Sequence, residues 1–206
     1  MSETFLPFGP SIYLGQLEEP ILQELQANVE MVRGDKYDSF DYRGRVVGRV
    51  GEQYDLSSVC SEQVYNHLRD HLREYLNGLD RLDTELNFSA EDMYVPEIWV
   101  NIQKENEYNP RHHHIGNISF VLYTRNDLTK EEAIDNEHDI IKNDDLGGVI
   151  EFRYGENLFL NSKIFTHYPN EGDILIFPNW LQHHVHSFFQ QGKERHSVAG
   201  NFFIRD

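Results

Sequence analysis

The chain has 206 residues with 39% hydrophobic and 13% aromatic side chains, enough apolar surface for one substantial core and without a compositional break that asks for a second. Its formal net charge of −17 repels polyphosphate over the Debye length, so nucleic acid is not an expected partner; the acidity reads first as a solubility device, and a macromolecular substrate, if there is one, would sooner be a neutral or basic peptide. No apolar run approaches a membrane span, which removes the membrane as a partner, and the single cysteine, Cys60, excludes an intramolecular disulfide and fits a reducing compartment.

The first ten residues lack the basic region and sustained apolar stretch of a signal peptide, so a cytoplasmic location is expected, the host cytoplasm if a phage encodes the chain. Ile12, Tyr13 and Leu14 predict a short edge strand, an exposed edge through which a homodimer could form. Glu18-Glu19-Pro20 marks a helix start, with proline in the first turn and carboxylates at the positive end of the dipole. Ile21, Leu22, Leu25, Val29 and Val32 recur at helical spacing, and Gly34 stops the run. Residues 35–55 alternate too weakly to assign. A second helix begins near Ser61, carries Val64, Leu68, Leu72, Tyr75 and Leu76 on one face, and is closed by Asn77-Gly78. His67 and His71 lie four apart on it but lack the intervening glutamate of the zinc-protease helix, and read as solvent-facing polar positions.

From Met93 the pattern turns to short β-branched and aromatic segments, at 94–103, 117–124, 148–154, 173–177, 183–188 and 198–204, separated by turn signals. The expected fold class is α+β: a single domain over 1–206, mostly helical through residue 92, with a jelly-roll core over 93–206 and the helices packed on one sheet. Residues 125–146 form a long acidic insertion, placed either to cover a site as a lid or to be a solvated excursion.

Six of the 11 histidines fall in two stretches, Asn109-Pro110-Arg111-His112-His113-His114 and Phe177-Pro178-Asn179-Trp180-Leu181-Gln182-His183-His184-Val185-His186. Residues i and i+2 of a strand share a face, so His112 and His114 can converge on one ion while His113 turns away. A third imidazole, His183, comes from the second stretch on another strand. Three protein ligands leave coordination positions open, which suits catalysis rather than a structural site. Arg195 follows His183 at a distance that fits a hairpin onto the neighbouring strand, where its guanidinium, helped by Ser197, could grip a carboxylate.

Taken in order, Trp99-Val100-Asn101, the two histidine stretches, Ile118-Ser119 to Tyr123, Pro169 to Gly172 and Arg195-His196-Ser197 to Asn201 resemble the 2-oxoglutarate- and iron(II)-dependent oxygenases of the prolyl 4-hydroxylase-like superfamily, in the small branch met in bacteriophage and marine bacterial genomes. The resemblance implies a double-stranded β-helix (jelly-roll, cupin-like), Fe(II), 2-oxoglutarate as cosubstrate, O2, and hydroxylation of a C–H bond on a peptide or amino-acid-like substrate. It implies His112, His114 and His183 as iron ligands and Arg195 as the 2-oxoglutarate clamp, with Ser197, Asn101 and Tyr123 as further cosubstrate contacts. Two departures stand out. The wider superfamily has Asp or Glu where this chain has His114, and the branch commonly has glycine where this chain has Phe120, expected to narrow the pocket. The neutral triad leaves open a cupin-type dioxygenase without 2-oxoglutarate and a non-catalytic metal-binding jelly roll, such as a virion component. A zinc hydrolase fits less well, since Ile115-Gly116-Asn117 stands where a further Asp and His would be.

Overall fold

A computed structural model of the chain describes residues 3–5, 9–35, 39–45, 47–80, 86–134, 147–156, 158–159 and 162–205. Helix α1, Glu19–Arg33, buries the five apolar residues whose spacing predicted it, and Gly34 N–H caps the Glu30 carbonyl at 3.0 Å. Helix α2 spans Glu62–Asp80 and runs through Gly78 rather than stopping there. A helical glycine costs only about 1 kcal/mol, and Leu79 beyond it still packs on the core. A third, short helix, α3, covers Lys130–Ile134. The rest of the 125–146 insertion, and with it the expected lid, lies outside the described residues.

The strands divide into two antiparallel sheets. The larger contains β1 (Glu3–Phe5), β2 (Ile12–Gln16), β3 (Glu52–Asp55), β5 (Ile98–Gln103), β7 (Ile118–Asn126), β10 (Asp173–Pro178) and β12 (Arg195–Ile204) in the order β1-β2-β10-β7-β12-β5-β3, with β4 (Met93–Tyr94) pairing the far end of β12. The smaller is β6 (Asn109–His112), β11 (Gln182–Val185), β8 (Ile150–Arg153) and β9 (Ile164–His167), in the order β6-β11-β8-β9. From β5 onward the chain repeatedly crosses between the sheets. The result is a double-stranded β-helix, four central strands of one sheet facing four of the other. Strand β2 is paired on both sides, by β1 and β10, so the exposed edge expected at Ile12 to Leu14 does not exist. The argument for a homodimer through that edge goes with it.

Both faces of the larger sheet are covered, which explains why β5, β7 and β12 are buried almost without alternation. Val100, Ile102, Leu122, Ile174 and Val198 meet α1 and α2 on the outer face. Trp99, Val121, Tyr123, Leu175, Phe177 and Ala199 meet Ile150, Phe152 and Val185 of the smaller sheet between the layers. Phe120 belongs to the outer set: its ring lies 5.2 Å from that of Phe202, and the absence of a Cβ at Gly200, its cross-strand partner, makes the space. Its ring therefore packs into the helix-facing core, and the residue also borders the pocket between the sheets. His71 also departs from expectation. It is buried, with Nδ1 2.6 Å from the Tyr13 hydroxyl and Nε2 3.1 Å from His67 Nε2, because α2 turns that side toward β2. Among the described residues no helix is long and apolar enough to cross a membrane.

Candidate metal centre

The end of β6 and the start of β11 lie side by side, with His112 paired to His183. His183 enters the space between the sheets and is fully enclosed, against Phe152 and Phe177. His114 stands two residues past the last residue of β6, so strand pleating does not hold it. A turn does instead: His114 N–H donates to the Asn179 carbonyl at 2.9 Å, and Asn179 Nδ2 donates back to the His114 carbonyl at 3.1 Å. The Pro178-Asn179-Trp180 turn thereby ties the two histidine stretches together. His113 is exposed, as alternation predicted.

One ring nitrogen from each of His112, His114 and His183 lies within 4.8 Å of the other two. His112 Nδ1 is 2.7 Å from the Pro110 carbonyl and His183 Nδ1 is 2.9 Å from the Leu181 carbonyl. A carbonyl only accepts, so both Nδ1 atoms carry the proton and both Nε2 atoms present a lone pair. His114 Nε2 and His183 Nε2 are 3.1 Å apart. Two ligands at right angles and about 2.1 Å from one ion lie about 3.0 Å apart, so this spacing fits adjacent positions of an octahedral ion. Burial, then the neighbouring imidazoles, lowers the pKa of His114 to about 4 and that of His183 well below its usual value. Burial also lowers His112, against the opposing pull of the Pro110 carbonyl. All three rings are neutral at pH 7, the form that binds metal.

The cavity beside these rings is lined by His112, His114, His183, Asn101, Arg195 and Ser197, with Trp99, Phe177 and Val185 as apolar walls. Arg195 does not arrive on a strand next to β11. The chain crosses to the larger sheet first, and Arg195 opens β12 between β5 and β7, facing the histidines from the opposite layer. Its side chain is 1% exposed and pairs with no carboxylate among the described residues. Nη1 donates to Gln103 Oε1 at 3.3 Å, while Nε and Nη2 are buried without a partner. A buried unpaired cation is costly, and two free donors of one guanidinium match the fork geometry of a carboxylate. Tyr123 does not line the cavity. Its ring centre lies 4.8 Å from the guanidinium carbon, and its hydroxyl is buried without a partner.

Three contributors were not singled out from the sequence. Asn109 lines the cavity with Oδ1 unpartnered, and the loop approaches it so closely that a Cβ at Gly48 would lie 2.0 Å from that atom. Gln103 holds Arg195 and is itself fixed by donating to the Glu107 and His186 carbonyls at 2.6 and 2.9 Å. Asn179 is the turn residue described above. Only Asn109 and Asn179, inside the histidine stretches, left a signal in the sequence.

Residues 97–201, just over half the chain, match the family described as "Putative 2OG-Fe(II) oxygenase". No curated protein matches the sequence. Among solved structures, the chain is similar to a Pseudomonas putida prolyl-4-hydroxylase at 15% identity, covering 94% of this chain and 92% of that one with a TM-score of 0.60. It is similar to the viral collagen prolyl hydroxylase of Paramecium Bursaria Chlorella virus-1, in complex with 2OG, at 12% identity, 98% and 96% coverage and a TM-score of 0.52. The Trichoplax adhaerens prolyl hydroxylase, in complex with a peptide fragment of the hypoxia inducible factor oxygen degradation domain, matches at 14% identity, 94% and 83% coverage and a TM-score of 0.53. These likenesses establish the shared fold.

Proposed function

The chain belongs to the 2OG-Fe(II) oxygenase family, and on that premise we propose that His112, His114 and His183 hold the iron, that Arg195 clamps 2-oxoglutarate, and that the substrate is a peptide side chain. The enzyme is a hydroxylase that uses Fe(II), 2-oxoglutarate and O2. Bound iron would couple decarboxylation of 2-oxoglutarate to insertion of one oxygen atom into a C–H bond. The residues of this chain bind and orient. The Pro110 and Leu181 carbonyls fix the His112 and His183 rings with their lone pairs toward the ion. Arg195 offers Nε and Nη2 to the far carboxylate of the cosubstrate, with the Tyr123 ring packed 4.8 Å from its guanidinium carbon. Ser197 and Asn101 line the passage between, and Trp99, Phe177 and Val185 exclude water.

The observation that carries this reading is the pairing of one neutral three-histidine set with one buried, anion-seeking guanidinium across a single cavity. For the substrate, the support is charge and surface. The acidic chain favours a neutral or basic peptide. Beside the metal end Ile115 and Trp180 are exposed, the latter packed 5.8 Å from the Tyr154 ring. Exposed apolar side chains that follow His114 and Asn179 in the chain suit a docked peptide. A library of neutral and basic peptides, incubated with Fe(II), 2-oxoglutarate and O2, should contain members that gain one oxygen atom by mass and release matching succinate. Succinate formation that no peptide stimulates, together with stimulation by a free metabolite, overturns the peptide assignment and leaves the dioxygenase intact.

A further inference from the structure

Side chains on β11 part to opposite faces. His183 and Val185 enter the core; His184 and, just past the strand end, His186 leave it on the outer face of the smaller sheet. Glu151 on β8 stands opposite His184 in the antiparallel register, so its carboxylate shares that outer face. Glu151 Oε2 is 3.2 Å from His186 Nε2, and Oε1 is 3.7 Å from His184 Nδ1. One donor atom from each of the three lies within 4.8 Å of the other two. Glu151 is 1% exposed, and His184 Nδ1 is buried without a hydrogen-bond partner.

We propose that Glu151, His184 and His186 form a second divalent-cation site, of Zn(II) chemistry, on the outer face of the smaller sheet, back to back with the candidate iron centre. Two imidazoles and one carboxylate are a donor set that zinc accepts. Tetrahedral ligands about 2.0–2.1 Å from zinc lie about 3.3 Å apart, and each imidazole already stands near that distance from one of the two carboxylate oxygens, His186 from Oε2 and His184 from Oε1. The donors are also held in place: the His186 backbone continues the ladder to β8, its N–H donating to Val149 and its carbonyl accepting from Gly148, at 3.0 and 3.3 Å. The opposing influence is Arg153, whose Nε donates to Glu151 Oε1. Its side chain is partly exposed, so the guanidinium can swing into water when a cation enters. Bound there, zinc would cross-link β8 to β11 directly behind His183.

The test is a Zn(II) titration of metal-free protein against a chromogenic chelator, without 2-oxoglutarate. Wild-type protein should take up two equivalents, and the His112→Ala/His114→Ala protein should retain one. Adding His186→Ala to that variant should weaken the remaining equivalent at least tenfold. Arg153→Gln, which removes the competing cation at a partly exposed position, should tighten it by about tenfold; this arm stands even if the His186 variant fails to fold. If the His112/His114 variant binds no zinc, or binds it with an affinity that neither His186→Ala nor Arg153→Gln changes, the site does not exist and Glu151 is simply the partner of Arg153. Either result leaves the dioxygenase reading untouched, because two of the three proposed iron ligands are removed from the protein being measured.

Discussion

Strands β12 and β6 reach the same cavity by different means. Arg195 and Ser197 belong to a ten-residue strand paired on both sides and buried over its first eight residues, so the ladder fixes their direction. His112 closes a four-residue strand of half-exposed character, and His114 lies beyond it, held by a turn of another segment. The proposed clamp thus inherits its rigidity from the larger sheet and its helices, whereas the proposed metal end depends on a few local hydrogen bonds. Damage to the two halves should therefore separate cleanly.

The largest effect is expected at the clamp. Arg195→Ala should weaken 2-oxoglutarate binding by about 100-fold or more, since truncating a buried charge partner costs about 2–5 kcal/mol, while iron stoichiometry stays near wild type. Arg195→Lys should restore little of it, because an ammonium lacks the fork. Equilibrium titration of 2-oxoglutarate into metal-loaded protein reads both. Should iron be lost along with the cosubstrate, the two halves are not independent.

Removing support from beneath the larger sheet comes next. Leu72→Ala, on α2 within the fully buried outer core, should destabilise the fold by about 2–5 kcal/mol in urea. Iron affinity of the folded fraction should not change. At the metal end, Asn179→Ala removes the side-chain half of the latch on His114 and should lower iron affinity by about 10–100-fold with little change in urea midpoint. An unchanged iron affinity would show that the backbone bond alone sets His114.

The smallest expected effect comes from His71, on α2 where it packs against β2. Burial, then the nearby His67, lowers its pKa to about 4, so the unfolded chain takes up a proton at a pH where the folded chain does not. Stability is then unaffected above about pH 6.5 and falls progressively as pH drops toward 4, by about 2 kcal/mol at pH 5. Urea midpoints at pH 7 and pH 5 for wild type and His71→Gln check this; the variant should lose part of the pH dependence.

Legibility of the sequence followed the same division. Long buried strands announce themselves, and the placement of Arg195 and Ser197 on one cavity-facing side followed from alternation. The hairpin expected to bring Arg195 beside His183 did not, because in a chain that weaves between two sheets a neighbour in sequence is a neighbour across the cavity. Spacing alone does not account for where His114 lies, since the strand ends before it and Asn179 takes over. Gln103 left no signal: a glutamine in a strand looks the same whether or not an arginine from a distant strand needs an acceptor. The outward pair His184 and His186 could be sorted from His183 by alternation, but Glu151 opposite them depended on a β8–β11 register that sequence does not state. The direction of the Phe120 ring depends on the missing side chain at Gly200 across the ladder, a pairing that sequence does not state.

The central claim is that three neutral histidines, His114 among them, present one face to iron while Arg195 holds the cosubstrate. Anaerobic titration of Fe(II) into protein with 2-oxoglutarate tests it most directly, through the visible charge-transfer band of the chelate. Wild-type and His113→Ala proteins should both develop the band, and His114→Ala and His183→Ala should lose it. A His114→Ala protein that develops the wild-type band at the wild-type iron concentration would contradict the account, leaving the iron to two histidines and water.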